Sequence, residues 1–158
     1  MRNPKFLVGG LLIAAAVVYL IISSTQASAQ YFLTIEELQV RKAEMLGRDV
    51  RVSGAVIGDS IQYDSKTLTL TFTVANIPGD NSVIDARGGL AAVLKAAVVD
   101  QTLPRLNVVY KGVKPDLLKN EAQAIMTGKY NADGTFNATE LLLKCPTKYE
   151  DALPAQAQ

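Results

Sequence analysis

The chain of 158 residues has no histidine, no tryptophan and one cysteine, Cys145. A single cysteine cannot form an internal disulfide, and tetrahedral zinc sites of the Cys/His type need more ligands than it supplies. The missing histidine also excludes Ser-His-Asp and Cys-His catalytic arrangements. A thiol–disulfide enzyme is poorly supported because no Cys-x-x-Cys pair is present. These absences exclude or weaken several classes of enzyme site.

The sequence is also poor in the charge and the aromatic residues that nucleic-acid binding requires. The net charge is +1 and aromatic residues make up 6% of the chain. A nucleic-acid-binding domain normally carries a basic stripe, and single-stranded nucleic acid needs stacking aromatics as well. We therefore expect no nucleic-acid partner. The length allows one compact domain with appendages.

An uncharged apolar run of 17 residues, Phe6 to Ile22, follows Arg2 and Lys5. At about 1.5 Å per residue it reaches roughly 25 Å, near the short limit for crossing a bilayer core. The next positive charge is Arg41, so the positive-inside rule places residues 1–5 in the cytoplasm and the rest of the chain outside. We predict a single-pass signal anchor in the cell (inner) membrane, with the soluble domain on the periplasmic or extracytoplasmic side.

A cleaved signal peptide is the alternative interpretation of the same segment. Ala27-Ser28-Ala29 fits the small-x-small cleavage pattern. The apolar run, however, is longer than the usual 7–15 residues of a signal peptide. Both interpretations export the domain.

The remainder of the chain predicts a small all-β domain. Thr34 and Glu37 fit a capping box that begins a short helix ending at Gly47, and Gly58-Asp59-Ser60 is a predicted turn. Apolar patterning predicts five strands, at Asp49–Ile57, Thr67–Ala75, Leu106–Tyr110, Ala122–Tyr130 and Phe136–Lys144. In the second strand, threonines alternate with one apolar face made of Leu68, Leu70, Phe72 and Val74. Their order and spacing are compatible with an OB-fold-like barrel of about five or six antiparallel strands.

These features divide the chain into segments. We predict a cytoplasmic N-terminus (1–5), a transmembrane signal anchor (6–25), a linker (26–33), an OB-fold domain (34–149) with a helix-bearing insertion (77–104), and a flexible, disordered tail (150–158).

The last predicted strand leads through three leucines to Cys145, and Pro146 ends it because proline has no N–H to donate. Tyr149 follows four residues after the thiol. From the spacing alone, Cys145 fits a small buried hydrophobic residue and Tyr149 a surface aromatic. An unpaired cysteine in an exported domain is nevertheless a candidate reactive group.

Four segments together resemble the periplasmic haem chaperone family CcmE of cytochrome c maturation. They are Arg51–Gly54, Leu70–Val74, Val109–Leu117 and Glu140–Tyr149. The block Val-x-Tyr-x-Gly-x-x-Pro-Asp-Leu and the C-terminal motif are the most specific. The resemblance extends from the anchor to about Tyr149, apart from most of residues 77–104.

The resemblance implies an OB-fold barrel that binds haem b transiently and delivers it to apocytochrome c. It also implies a carrier without turnover of its own, and not an enzyme. In the common form of the family, a histidine in His-x-x-x-Tyr attaches the haem and the tyrosine coordinates its iron. Here Cys145-x-x-x-Tyr149 resembles the minority Cys-x-x-x-Tyr variant, which implies covalent attachment through Cys145 and iron coordination by Tyr149. A thiolate is a soft nucleophile, and phenolate is a known haem-iron ligand.

The family also implies partners in the membrane. These are haem-delivery and haem-ligation membrane proteins and an ABC transporter that releases the loaded carrier. Lys144 and Lys148 fit solvated charges better than ligands. Candidates for apolar surface near the haem fit plain core equally well, and they are Phe72, Tyr130, Phe136 and Leu142. The alternative function is an exported OB-fold module for oligosaccharide or nucleic acid.

Overall fold

The computed structural model describes residues 12–15, 17, 19 and 31–145. The chain divides into two units, residues 1–30 and residues 31–158. The described residues of the first unit are helical. Within the described parts of the chain, no helix has both the length and the apolar character needed to cross a bilayer. Residues 1–5, most of the predicted anchor and the predicted tail lie outside the described residues.

The second unit contains six strands and four helices among its described residues. The strands are β1 (Tyr31–Leu33), β2 (Asp49–Asp64), β3 (Thr69–Asn76), β4 (Arg105–Lys111), β5 (Gln123–Tyr130) and β6 (Thr135–Lys144). The helices are α1 (Ile35–Val40), α2 (Lys42–Met45), α3 (Asn81–Ala86) and α4 (Gly89–Val99). Both α3 and α4 lie between β3 and β4.

Strands β2 to β6 close into a barrel. They pair in the order β2-β3-β4-β6-β5, and β5 pairs back with β2. This closed five-stranded arrangement confirms the predicted OB-fold-like barrel. The prediction that all the strands are antiparallel is wrong, because β4 pairs with β6 in parallel and β1 pairs with β2 in parallel. In the sequence, β5 comes between β4 and β6. The chain reverses direction on either side of β5, so β6 runs in the same direction as β4.

β2 is longer than predicted and absorbs the expected turn at Gly58–Ser60. The strand pairs with β5 along its first half and with β3 along its second, with a register shift between Ile57 and Gln62. At this shift the hydroxyl of Ser60 donates to the carbonyl oxygen of Ile57 at 2.6 Å and accepts from the N–H of Thr73 at 2.8 Å. The Ser60 hydroxyl thus bonds to two backbone groups at the register shift, and β2 continues beyond it.

The barrel encloses one apolar core, and the helical segment packs on a second cluster. On β3, Leu70, Phe72 and Val74 are buried, as the alternation predicts. Leu68, which the alternation places on the same face, is exposed because it lies in the turn before β3, with a φ of 51°. The second cluster joins the outer barrel surface to the helices, and it includes Ala55, Ala75, Val93, Leu94 and Ala97.

The chain enters the domain through β1 and α1. The capping box is confirmed: the Thr34 hydroxyl accepts from the N–H of Glu37, and the Glu37 carboxylate accepts from the N–H of Thr34. Tyr31–Leu33, which the sequence places in the linker, pairs with β2 at Val50, Arg51 and Val52. These three residues therefore extend the sheet.

Candidate functional site

The end of β6 carries the single cysteine. β6 pairs with β5 as far as its last residue, Lys144, which lies opposite Gln123. Cys145 follows directly and is half-buried. Its Sγ lies 3.9 Å from the carbonyl oxygen of Leu117. Cys145 therefore sits at the end of a hydrogen-bonded strand, with its thiol next to the loop that follows β4.

That loop is fixed to the barrel just after its contact with the thiol. Leu118 is buried in the barrel core, next to Leu117, which is 52% exposed. The side-chain oxygen of Asn120 accepts a hydrogen bond from the N–H of Gly58 at 2.8 Å. The N–H of Glu121 donates to a β2 carbonyl oxygen at 3.0 Å. Leu117 is thus an exposed residue next to Cys145, in a loop that is hydrogen-bonded to the barrel.

The close approach of this loop depends on a glycine in β2. A Cβ on Gly58 would lie 2.7 Å from the Cβ of Asn120, closer than two such carbon atoms approach. The Gly-Asp-Ser segment that predicts a turn in the sequence is therefore the place where the loop packs against the strand. A side chain at position 58 would separate the loop from the barrel.

The sequence-predicted site residues differ in where they lie. Lys144 is described and exposed, whereas Tyr149 and Lys148 lie outside the described residues. Among the apolar candidates, Leu142 is 54% exposed on β6. The other three are buried parts of the barrel core and present little surface to a ligand; they are Phe72, Tyr130 and Phe136.

The sequence alone did not predict that Leu117 is a neighbour of the cysteine. The two residues are 28 positions apart, and no local period relates them. The available signal was the position of Leu117 at the end of the Val109–Leu117 block, which the resemblance marks as family-specific.

An ion pair lies on the outer surface of the strands that carry the site. Arg51 on β2 contacts the carboxylate of Glu140 on β6 at 3.7 Å and donates to the hydroxyl of Thr127 on β5 at 3.2 Å. The three residues occupy one cross-strand row. Glu140 is well exposed, so the ion pair contributes little to stability.

A cavity of about 380 Å³ lies along α3, α4 and the start of α1. Its polar lining includes Glu36, Arg87 and Asp100, and its apolar lining includes Val93 and Leu103. None of its lining residues belongs to β6 or to the loop that contacts the thiol. The cavity and the cysteine are therefore separate features of the domain.

The pairing order and the cysteine together define a class of protein, an OB-fold-like barrel with a thiol at the end of its last strand. Comparison with known proteins gives the family, because the CcmE domain model matches residues 29–152. This chain belongs to the CcmE family.

Individual relatives agree with the domain match. The chain is 30% identical over 150 residues to cytochrome c-type biogenesis protein CcmE of an Azoarcus species, covering 94% of this chain and 84% of the relative. It is 27% identical over 146 residues to the CcmE protein of Thermus thermophilus, covering 92% and 84%. Among solved structures, the solution NMR structure of the OB-fold domain of haem chaperone CcmE from Desulfovibrio vulgaris aligns with a TM-score of 0.42 and 22% identity, covering 65% of this chain and 92% of that one.

Proposed function

We propose that the protein carries haem b attached to Cys145, with Tyr149 as the iron ligand, and delivers it to apocytochrome c. Family membership gives the broad function: the protein is a haem chaperone of c-type cytochrome biogenesis and not an enzyme. The roles of the two residues come from the motif Cys145-x-x-x-Tyr149, which corresponds to His-x-x-x-Tyr in the common family form.

The position of Cys145 is the observation that carries the proposal. A cysteine that serves only as a packing residue is expected in the core, but this one lies half-buried at a strand end beside the exposed Leu117. The thiol is therefore partly accessible, and Leu117, whose carbonyl oxygen contacts it, is an exposed apolar residue of the adjoining loop. Tyr149 follows four residues later in the sequence, a short length of chain from the same ligand.

The attachment chemistry is an addition. The sulfur bonds to one carbon of a haem vinyl group and a proton goes to the other, so one C–S and one C–H bond replace the S–H bond and the π bond. No electrons are gained or lost, and the reverse elimination restores the thiol and the vinyl group. A tyrosine must lose its proton to bind the iron, and metal binding drives that loss.

The proposed cellular setting follows from the N-terminal segment and the family. We propose a single-pass anchor over residues 6–25 in the cell (inner) membrane, with the barrel on the periplasmic or extracytoplasmic side. The proposed partners are haem-delivery and haem-ligation membrane proteins and an ABC transporter that releases the loaded carrier. The apolar run after Arg2 and Lys5 supports the anchor and its orientation.

The test is a haem-stained denaturing gel with intact-mass measurement, on protein co-expressed with its own maturation genes. Wild type should carry a haem-sized mass increment that survives denaturation. Cys145→Ala should lose it, because no other thiol is present. Tyr149→Phe should keep the covalent haem but change its absorption spectrum, because the phenol oxygen is removed from the iron.

Two results would contradict the proposal. Covalent haem on Cys145→Ala would place the attachment on another side chain. An unchanged haem spectrum in Tyr149→Phe would show that Tyr149 does not coordinate the iron.

A further inference from the structure

Within the described residues, β6 has a strand neighbour on only one side over its second half. β4 pairs with β6 from Thr135 to Ala138, and its last contact joins Tyr110 to Ala138. β5 continues to pair with β6 as far as Lys144. Within residues 31–145, no backbone hydrogen bond joins the other side of β6 after Ala138 to a strand or loop. This part of the barrel therefore has an open strand edge that leads directly to Cys145.

The hydrogen bonds between β2 and β5 fix the direction in which the backbone groups of each β5 residue point. Val56 on β2 donates to the carbonyl oxygen of Ala122 and accepts from the N–H of Glu121, so it faces β5. Residues two positions apart in a strand point their backbone groups to the same side. Gly54 therefore also faces β5, where its partner is Ala124. Ala124 in turn faces β2.

The next residue of β5 faces the opposite way. Ile125 directs its N–H and C=O at β6, where its partner is Leu142. Leu142 consequently faces β5, and its neighbours Leu141 and Leu143 point their backbone groups away from it. The N–H and C=O groups of Leu141 and Leu143 form the open edge.

Features that stop strand pairing lie at the two ends of this edge and not inside it. The register shift between β5 and β6 leaves Thr139 as an extra residue at one end. Pro146 follows in the sequence at the other end. Natural edge strands are usually protected by charged side chains, especially lysine, by bulges, prolines or inward-pointing charges, or by a covering loop. The charged residues of segment 140–144, Glu140 and Lys144, lie at its two ends. Residues 140–144 contain no proline, and the side chains that pack inward from them, Leu141 and Leu143, are uncharged.

We propose that an extended segment of the acceptor polypeptide, apocytochrome c, adds to the barrel as a strand along Leu141 and Leu143. The proposal rests on the proposed function, since it is the delivery step that brings an acceptor chain to Cys145. Strand addition to an exposed sheet edge is a known mode of peptide binding, in which main-chain hydrogen bonds supply the affinity. An acceptor that has not yet folded has a free backbone to offer.

The distances along β6 allow an added acceptor chain to reach the proposed haem-attachment residue. A strand rises about 3.3 Å per residue, so Cys145 lies roughly 7 Å beyond Leu143, and an added strand lies about 4.8 Å to the side. A chain paired with Leu143 therefore passes close to the attachment residue. The carbonyl oxygen of Leu117 contacts the thiol of Cys145, so the loop after β4 marks the end of the available edge.

Hydrogen exchange of the full-length protein, with and without haem-free apocytochrome c, tests the pairing directly. Bound acceptor should slow exchange at the amides of Leu141 and Leu143. The amides of Leu142 and Lys144 should change little, because they already face β5. An alternating pattern of this kind is specific to strand addition, whereas a contact made only by side chains would not protect alternate amides.

Two variants of Leu143 distinguish the contribution of its backbone N–H to acceptor binding from that of its side chain. Leu143→Pro removes one edge-facing N–H, and proline is tolerated on an edge strand where that side has no partner. Leu143→Ala removes the same side chain and keeps the N–H. We expect Leu143→Pro to bind apocytochrome c about tenfold more weakly than Leu143→Ala, which is the effect of one lost hydrogen bond.

Three outcomes would overturn the proposal. Equal binding by the two variants would show that the N–H is not used, and acceptor binding without protection of Leu141 and Leu143 would exclude strand addition. Protection of the same amides in the protein alone, growing with its concentration, would assign the edge to a second copy of this chain. Covalent haem on wild type, measured on the same samples, reports on the proposed function separately.

Discussion

The side-chain oxygen of Asn120 accepts a hydrogen bond from the backbone N–H of Gly58, at 2.8 Å and across 62 residues of sequence. This contact joins the loop after β4 to the irregular part of β2. The same loop brings the carbonyl oxygen of Leu117 to 3.9 Å from the Cys145 thiol. The loop therefore connects β2 to the proposed attachment residue at the end of β6.

Removal of the Asn120 amide should expose the thiol. In Asn120→Ala the N–H of Gly58 loses its partner, the loop is held less firmly, and we expect Cys145 to react several-fold faster with a thiol reagent. The lost hydrogen bond should also lower the free energy of unfolding by about 1 kcal/mol. Asn120→Asp, which keeps the acceptor oxygen, is the matched control. Loss of stability with an unchanged thiol reaction rate would show that the loop does not shield Cys145.

Gly128 on β5 lies against β6 with no room for a side chain. A Cβ at this position would overlap the carbonyl oxygen of Asn137 and lie 2.8 Å from the Cα of Ala138, and both of these atoms belong to the backbone. Gly128→Ala should therefore force the two strands apart and lower the free energy of unfolding by at least about 2 kcal/mol. Urea denaturation measures this change.

The control for that substitution is Gly79→Ala. The nearest atom to a Cβ at position 79 is the methyl carbon of the Thr34 side chain, at 3.2 Å. We expect a change of less than about 1 kcal/mol. Equal stability of Gly128→Ala and wild type would contradict the close approach of β5 and β6 at this point.

Asp133 stabilises the turn between β5 and β6 in a pH-dependent way. Its carboxylate accepts hydrogen bonds from the N–H and the hydroxyl of Thr135, at 2.8 and 2.7 Å. These bonds, and more weakly the charge of Lys42, lower the pKa of Asp133 below its ordinary value of 3.8. The folded state therefore favours the ionised carboxylate, and the stabilisation is present above that ordinary value and lost as the pH falls through the lowered pKa.

We expect Asp133→Ala to unfold more easily than wild type at neutral pH, with a difference that shrinks once the pH falls below 3.8. Unfolding by urea at a series of pH values measures the difference. Asp116→Ala is the control, because it also removes one carboxylate but lies in the loop after β4, outside this turn. A wild-type advantage over Asp133→Ala that stays constant into strong acid would assign it to something other than the ionised carboxylate.

The sequence by itself determined several local elements, and it supplied the prediction of the candidate site. Alternation on β3 predicted which of its side chains fill the core, and Thr34 with Glu37 predicted the start of α1. Cys145 and Tyr149 stay a prediction, made from a family motif that is recognisable in the sequence. These features depend on neighbours a few positions apart, which is the range over which periodicity and capping act.

Only the tertiary structure decided the relationships between distant segments. These are the parallel pairing of β4 with β6, the continuation of β2 through Gly58–Ser60, the contact of Leu117 with Cys145, and the open edge of β6. All of them depend on which strands become neighbours. The physical reason is that one strand offers the same hydrogen-bonding groups to any partner. The closure of the barrel selects the partner, and among the described residues it leaves the last part of β6 with a partner on one side alone.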